Sequence, residues 1–134
     1  MTEIYVPADP LAPVQAFLGE HMPPRYPGIR VAQNLSRDWS PSANPELVLF
    51  DDSGPMRYPV ETLPTVRVTV WAAGRDAARD IAGHALGLLL CVRISGVAKV
   101  LPHTSLIDDR DDKTGGWLAS FTVRTRMRTT GRTV

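Results

Sequence analysis

The sequence predicts an α+β domain: a single mixed or antiparallel sheet with helices packed on one of its faces. Three observations carry that prediction. First, Thr65 to Ala72 alternates with a period of two, setting Val66, Val68, Val70 and Ala72 against Thr65, Arg67, Thr69 and Trp71. That pattern marks a strand with one face on a core. Second, Arg75 to Val92 follows almost at once and repeats its apolar residues at helical spacing. Third, eleven of the twelve prolines lie at or before Pro64, Pro102 being the exception. Proline fixes φ and removes a donor, so the first half is rich in turns and edges while the second can hold long elements. A chain of 134 residues fits one domain, spanning 1–134.

The first expected element is a helix from Pro10 to Glu20. Asp9 can cap it, and Pro10 at the first helical position loses no hydrogen bond. Leu11, Val14, Phe17 and Leu18 share a face, and Pro23-Pro24 stops the helix. Ile29 to Leu35 alternates as a strand, Ser36 to Pro45 reads as a loop, and Glu46 to Phe50 reads as a strand. Asp51-Asp52-Ser53-Gly54-Pro55 is a turn by composition, and the stretch to Pro64 is irregular.

The strand Thr65 to Ala72 comes next, then the helix Arg75 to Val92, about 27 Å long. Ala78, Ile81, Ala82, Ala85, Leu86 and Leu89 form its buried stripe, and Arg75, Asp76, Arg79, Asp80 and His84 its wet face. Gly83 and Gly87 share a side and allow a strand or another subunit close approach. Two strands follow, Val97 to Ile107 and Trp117 to Thr129, with Asp108 to Gly116 as their polar connection. The predicted order is α-β-β-β-α-β-β, with the helices on the apolar face of the sheet.

Fifteen Lys and Arg against fourteen Asp and Glu give a net charge of +1. That balance offers no global attraction to nucleic acid or to an anionic membrane. The start, Met1-Thr2-Glu3-Ile4-Tyr5, lacks the basic and apolar segments of a signal peptide, and Leu88 to Val92 is too short to cross a bilayer. A protein made and kept in the cytosol is expected. The one cysteine, Cys91, excludes an internal disulfide and reads as a buried, inert thiol.

The chemistry-bearing residues form no catalytic pattern. His21, His84 and His103 stand on three different elements without zinc spacing, and His84 is expected to pair with Asp80 one turn earlier. Asp108-Asp109-Arg110-Asp111-Asp112-Lys113 fails as a calcium loop. Read from Asp109, Lys113 takes a ligand position, Thr114 stands where the turn glycine belongs, and Ser120 replaces the closing Glu. There is no G-x-S-x-G, phosphate-binding loop or dinucleotide fingerprint. The expectation is a protein with no enzymatic activity, no metal and no cofactor.

The least ordinary feature is an arginine stripe. Arg124, Arg126 and Arg128 leave one face of a strand, Arg67 shares that polar face, and Leu118 to Val134 holds four Arg and no acid. Like charges stacked on a strand repel, so a partner's carboxylates or phosphates would relieve them. The chain owns candidate carboxylates in Asp51, Asp52, Asp108, Asp109, Asp111 and Asp112. A solvated sheet face is the plain alternative.

The run Pro64-Thr65-Val66-Arg67-Val68-Thr69-Val70-Trp71-Ala72-Ala73 leads into Gly74-Arg75-Asp76-Ala77-Ala78-Arg79-Asp80-Ile81-Ala82. A strand of the form V-x-V-x-V-W-A entering an Ala-rich helix, after a short helix and Pro-rich strands, resembles the tail terminator (tail completion) proteins of long-tailed phages, especially those of actinobacterial hosts. The resemblance spans about Asp9 to Thr130. It implies a small structural subunit, made in the host cytoplasm, that forms a six-fold ring in the virion at the head–tail junction. Such a ring ends growth of the tail tube and helps join the head. The implied partners are copies of itself, the tail tube protein and head–tail connector proteins, with DNA only passing through and no membrane. No catalytic residues carry over. Another neck or tail component (a connector or tube subunit) and a small nucleic-acid-binding module are the alternatives.

Overall fold

A computed structural model describes all 134 residues, Met1 to Val134. Along the chain it holds β1 (Glu3–Val6), α1 (Leu11–His21), β2 (Arg30–Ala32), β3 (Glu46–Asp51), β4 (Met56–Arg57) and β5 (Glu61–Thr62). Then come β6 (Thr65–Ala72), α2 (Arg75–Cys91), β7 (Lys99–Arg110), β8 (Trp117–Arg128) and β9 (Thr130–Thr133). The main sheet runs β2-β3-β6-β8-β5-β4, with β7 also paired to β8. Only β2 and β3 run parallel, so the sheet is mixed and mostly antiparallel.

Alternation decides the layers. Val66, Val68 and Val70 on β6, Ala119, Phe121 and Val123 on β8, and Leu47 and Leu49 on β3 all turn one way. Leu11, Val14, Phe17 and Leu18 of α1 and Ala78, Ile81, Ala82, Ala85 and Leu89 of α2 meet them there in one core cluster. Both helices therefore cover the same face. The Asp9 carboxylate accepts a 2.9 Å hydrogen bond from the Leu11 N–H at the start of α1. Neither Gly83 nor Gly87 is needed for a close approach: a Cβ at Gly83 would lie 3.6 Å from Leu106 Cδ1, an ordinary contact, and nothing lies within 4 Å of the same point at Gly87.

The observed order contains more strands than α-β-β-β-α-β-β. β1 and β9 pair with each other, antiparallel, in a separate two-stranded ribbon. The stretch read as irregular holds β4 and β5, each two residues long. Gly54 makes the preceding turn possible: a Cβ there would lie 2.1 Å from the Leu63 carbonyl oxygen. β2 stops at Ala32 because the chain folds back, with the Arg30 guanidinium donating to the Asn34 carbonyl at 2.7 Å. β7 continues to Arg110, so Asp108 to Arg110 belong to a strand and the connection is shorter than expected.

Two side-chain expectations are also corrected. Cys91 is exposed. It lies two residues beyond Leu89, about 200° around the helix from the buried stripe. Asp80 bonds Tyr26 instead of His84: the tyrosine hydroxyl donates to Asp80 Oδ2 at 2.6 Å, and the His84 ring meets the Tyr26 ring edge-on at 5.7 Å. Burial, then the bond to Asp80, pushes the Tyr26 hydroxyl above its ordinary pKa. Leu86 is half-buried against the core.

Candidate subunit interface

The sheet face away from the helices carries the residues between the core positions. The register places Thr65 opposite Arg124, Arg67 opposite Thr122, and Thr69 opposite Ser120. On β7, Lys99 stands opposite Arg126 and Leu101 opposite Arg124. Part of this face is closed: Val48, Thr69 and Trp39 are buried outside the core cluster. Trp39 lies against Gly116, where a Cβ would fall 2.7 Å from its ring. Hydroxyls line the middle, with Thr69 Oγ1 and Ser120 Oγ 3.0 Å apart and Thr122 Oγ1 bonded to Thr104 Oγ1 at 2.7 Å. His103 Nδ1 lies 2.8 Å from the same Thr122 oxygen.

The arginines stand in different situations. Arg67 donates from Nε to Asp52 Oδ2 at 3.1 Å and lies over the Phe50 ring, 4.1 Å from its centroid. Arg126 Nε is 3.1 Å from Glu61 Oε2, but the N–H is not aimed at that oxygen, so the pair is an ion contact without a hydrogen bond. Arg124 has no acidic partner, and its buried Nε finds no acceptor. Arg128 is exposed and likewise without an acid.

The acids are mostly engaged within the chain. Asp51 Oδ1 accepts the Ser53 N–H at 2.8 Å and shapes the turn after β3. Asp108 lies on the helix side of β7. Arg79 Nη1 reaches it at 2.7 Å and Arg75 Nε at 2.9 Å. The hydrogen bond from Arg79, assisted by that from Arg75, holds the Asp108 carboxyl below its ordinary pKa. Asp111 is held low first by the 2.7 Å bond from the Thr114 hydroxyl, then by the Lys113 N–H and the Trp71 indole. Asp109 accepts only from the N–H of its neighbour Arg110, at 2.8 Å, and Asp112 is exposed.

Of the ten residues picked from the sequence, the structure joins one basic–acidic pair directly, Arg67 with Asp52. Sequence reasoning missed the partners Arg75 and Arg79 of Asp108, and Glu61 beside Arg126. Arg75 and Arg79 are spaced four apart on the wet helix face, a visible signal, but their acceptor lies on a distant strand. A further pair, Arg30 Nη1 to Glu46 Oε1 at 2.8 Å, ties β2 to β3. Burial alone would raise the Glu46 pKa. Hydrogen bonds from Ser36 and then Arg30 outweigh it and hold the carboxyl low.

No group of three or more His, Cys, Asp or Glu side chains is placed to share a metal ion. No helix is long and apolar enough to cross a membrane. What the face offers is cations and hydroxyls, groups whose chemistry can pair with anions or hydrogen-bond acceptors. No protein-family model matches the chain, and no curated protein sequence matches it.

Proposed function

We propose that the chain is a structural, non-enzymatic virion assembly subunit. It forms a ring, of six copies by the resemblance, on the end of a tail tube at the head–tail junction, where it ends tube growth and helps join the head. The observation that carries this reading is the strand Thr65–Ala72 running through Ala73-Gly74 into the Ala-rich helix Arg75–Cys91, with the sequence likeness to tail terminator proteins that this segment bears. A second support is the sheet face away from the helices, where Arg124 and Arg128 lack acids of their own. A neighbouring copy's carboxylates would complete them, and head-to-tail rings bring two different patches of one chain together.

The partners in this reading are copies of itself, the tail tube protein and the connector proteins. It needs no cofactor. The test is to polymerise tail tube subunits with and without the purified protein and measure tube lengths by electron microscopy. Arrested tubes with a ring at one end are expected. Tubes of unchanged length and bare ends would overturn the reading, and growth of this chain alone into long tubes would mark a tube subunit.

A further inference from the structure

At the end of β8, the segment from Arg93 to Lys99 folds alongside the strand and leaves two adjoining open grooves, of about 610 and 460 Å³, that share Ala98 and Arg128. Arg93 lines the first, Lys99 and Arg126 line the second, and Arg128 stands in both. The one acid there is Glu61, which already faces Arg126. Lys99 and Arg126 are directly opposite in the ladder, an arrangement in which like charges repel. The main chain adds donors. The turn Ile94 to Val97 closes on a 3.2 Å bond from the Val97 N–H to the Ile94 carbonyl, with Gly96 at φ 89, and the N–H groups of Ser95 and Gly96 have no intramolecular acceptor.

The grooves thus collect cations and N–H donors around a single, occupied carboxylate. Their complement is an acceptor-rich anion. Two lobes meeting at Arg128 fit charges repeated along a line better than one small ion. Arg126 and Arg128 leave the strand about 6.6 Å apart, and guanidinium forks match phosphate oxygens two at a time. No aromatic side chain lines either groove, so there is no platform on which bases could stack.

We propose that this groove is a phosphate-backbone site that holds nucleic acid without reading its sequence. The site shares Arg128 with the subunit contact proposed above, but it rests on the grooves and not on the ring reading, and it survives the failure of that reading. In a subunit at a head–tail junction, it would grip the DNA that passes.

The test is fluorescence anisotropy of the purified full chain with labelled duplex DNA, titrated across a range of salt. Three to four phosphate contacts give a slope of log K against log salt of about −3. Duplexes of unrelated sequence are expected to bind alike. Arg93→Gln with Arg128→Gln should weaken binding at least about tenfold at low salt and flatten the slope by about 2, and Lys99→Gln alone should flatten it by about 1. Arg110→Gln, at the far end of β7, should bind as wild type. Circular dichroism confirms that each variant is folded. Salt-insensitive binding, no binding, or a groove variant with wild-type affinity would overturn the proposal. So would displacement of the DNA by poly-glutamate as effective, charge for charge, as unlabelled duplex, which would make an acidic protein segment the ligand.

Discussion

Glu46 shows how a single side chain can fasten an edge of the sheet. It is 6% exposed, accepts from Arg30 and from the Ser36 N–H, and its pKa is depressed in the fold. A carboxyl depressed on folding adds stability that is fully present above its unfolded pKa, about 4.3, and is lost as pH falls through the folded value. Urea unfolding followed from pH 6 to pH 3 should therefore show stability falling with acid, and Glu46→Gln should shallow that fall. An identical slope in the variant would show that the pair contributes nothing. At Gly116 the constraint is space. A Cβ would sit 2.7 Å from the Trp39 ring and 3.0 Å from the Ala72 carbonyl oxygen. Gly116→Ala should cost about 1–3 kcal/mol by overpacking, read as a lower denaturant midpoint. These partnerships were hidden in the sequence, because ion pairs such as Arg79 with Asp108 or Arg126 with Glu61 join residues far apart in the chain. The stripe of arginines was visible. Which of them already had an acid was not.

Elements with a sustained period were legible. β6 spans Thr65 to Ala72 as its alternation requires, β8 buries every second residue from Ala119 to Met127, and five of the six residues expected in the α2 stripe are fully buried. Short or distant pairings were not. β4 and β5 have two residues each, too few to display a period of two, and β1 is a strand only because β9 pairs with it from the other end of the chain. Packing of α2 is the element-scale prediction. Ile81 is 3% exposed and shares the core cluster with Val66, Val68 and Val70. Ile81→Ala should destabilise by roughly 2–5 kcal/mol. A loss under about 0.5 kcal/mol in urea unfolding would contradict the packing, being far below the cost of a core cavity.

At the scale of the whole molecule, the two sides of the sheet do different work. The helix side is apolar and closed by α1 and α2, while the other side is hydroxyl-lined and cationic toward the end of β8. Bringing unpaired charge against an apolar partner costs more than the contact returns, so a polar, acidic neighbour suits that side. Under the ring proposal, Arg124→Glu, Arg126→Glu and Arg128→Glu together should give a folded monomer with no rings. Light scattering after size exclusion reads the mass and circular dichroism reads the fold. Rings that persist in the triple variant would place the subunit contact elsewhere. Rings that persist while DNA binding is lost would leave these arginines to the phosphate site alone.

The β1–β9 ribbon has a consequence for chain topology. Four residue pairs bring the two ends together, and the Val134 N–H donates to the Thr2 carbonyl at 2.8 Å. A short peptide joining those ends would close the backbone into a circle without disturbing any other pairing. Closing a loop of this length removes freedom from the unfolded chain, and on the loop-entropy model the circular protein should gain about 4–5 kcal/mol. The chain could then be reopened at the exposed Asp112-Lys113 tip between β7 and β8. That permuted protein should melt as a single cooperative unit, since exposed turn tips tolerate new termini.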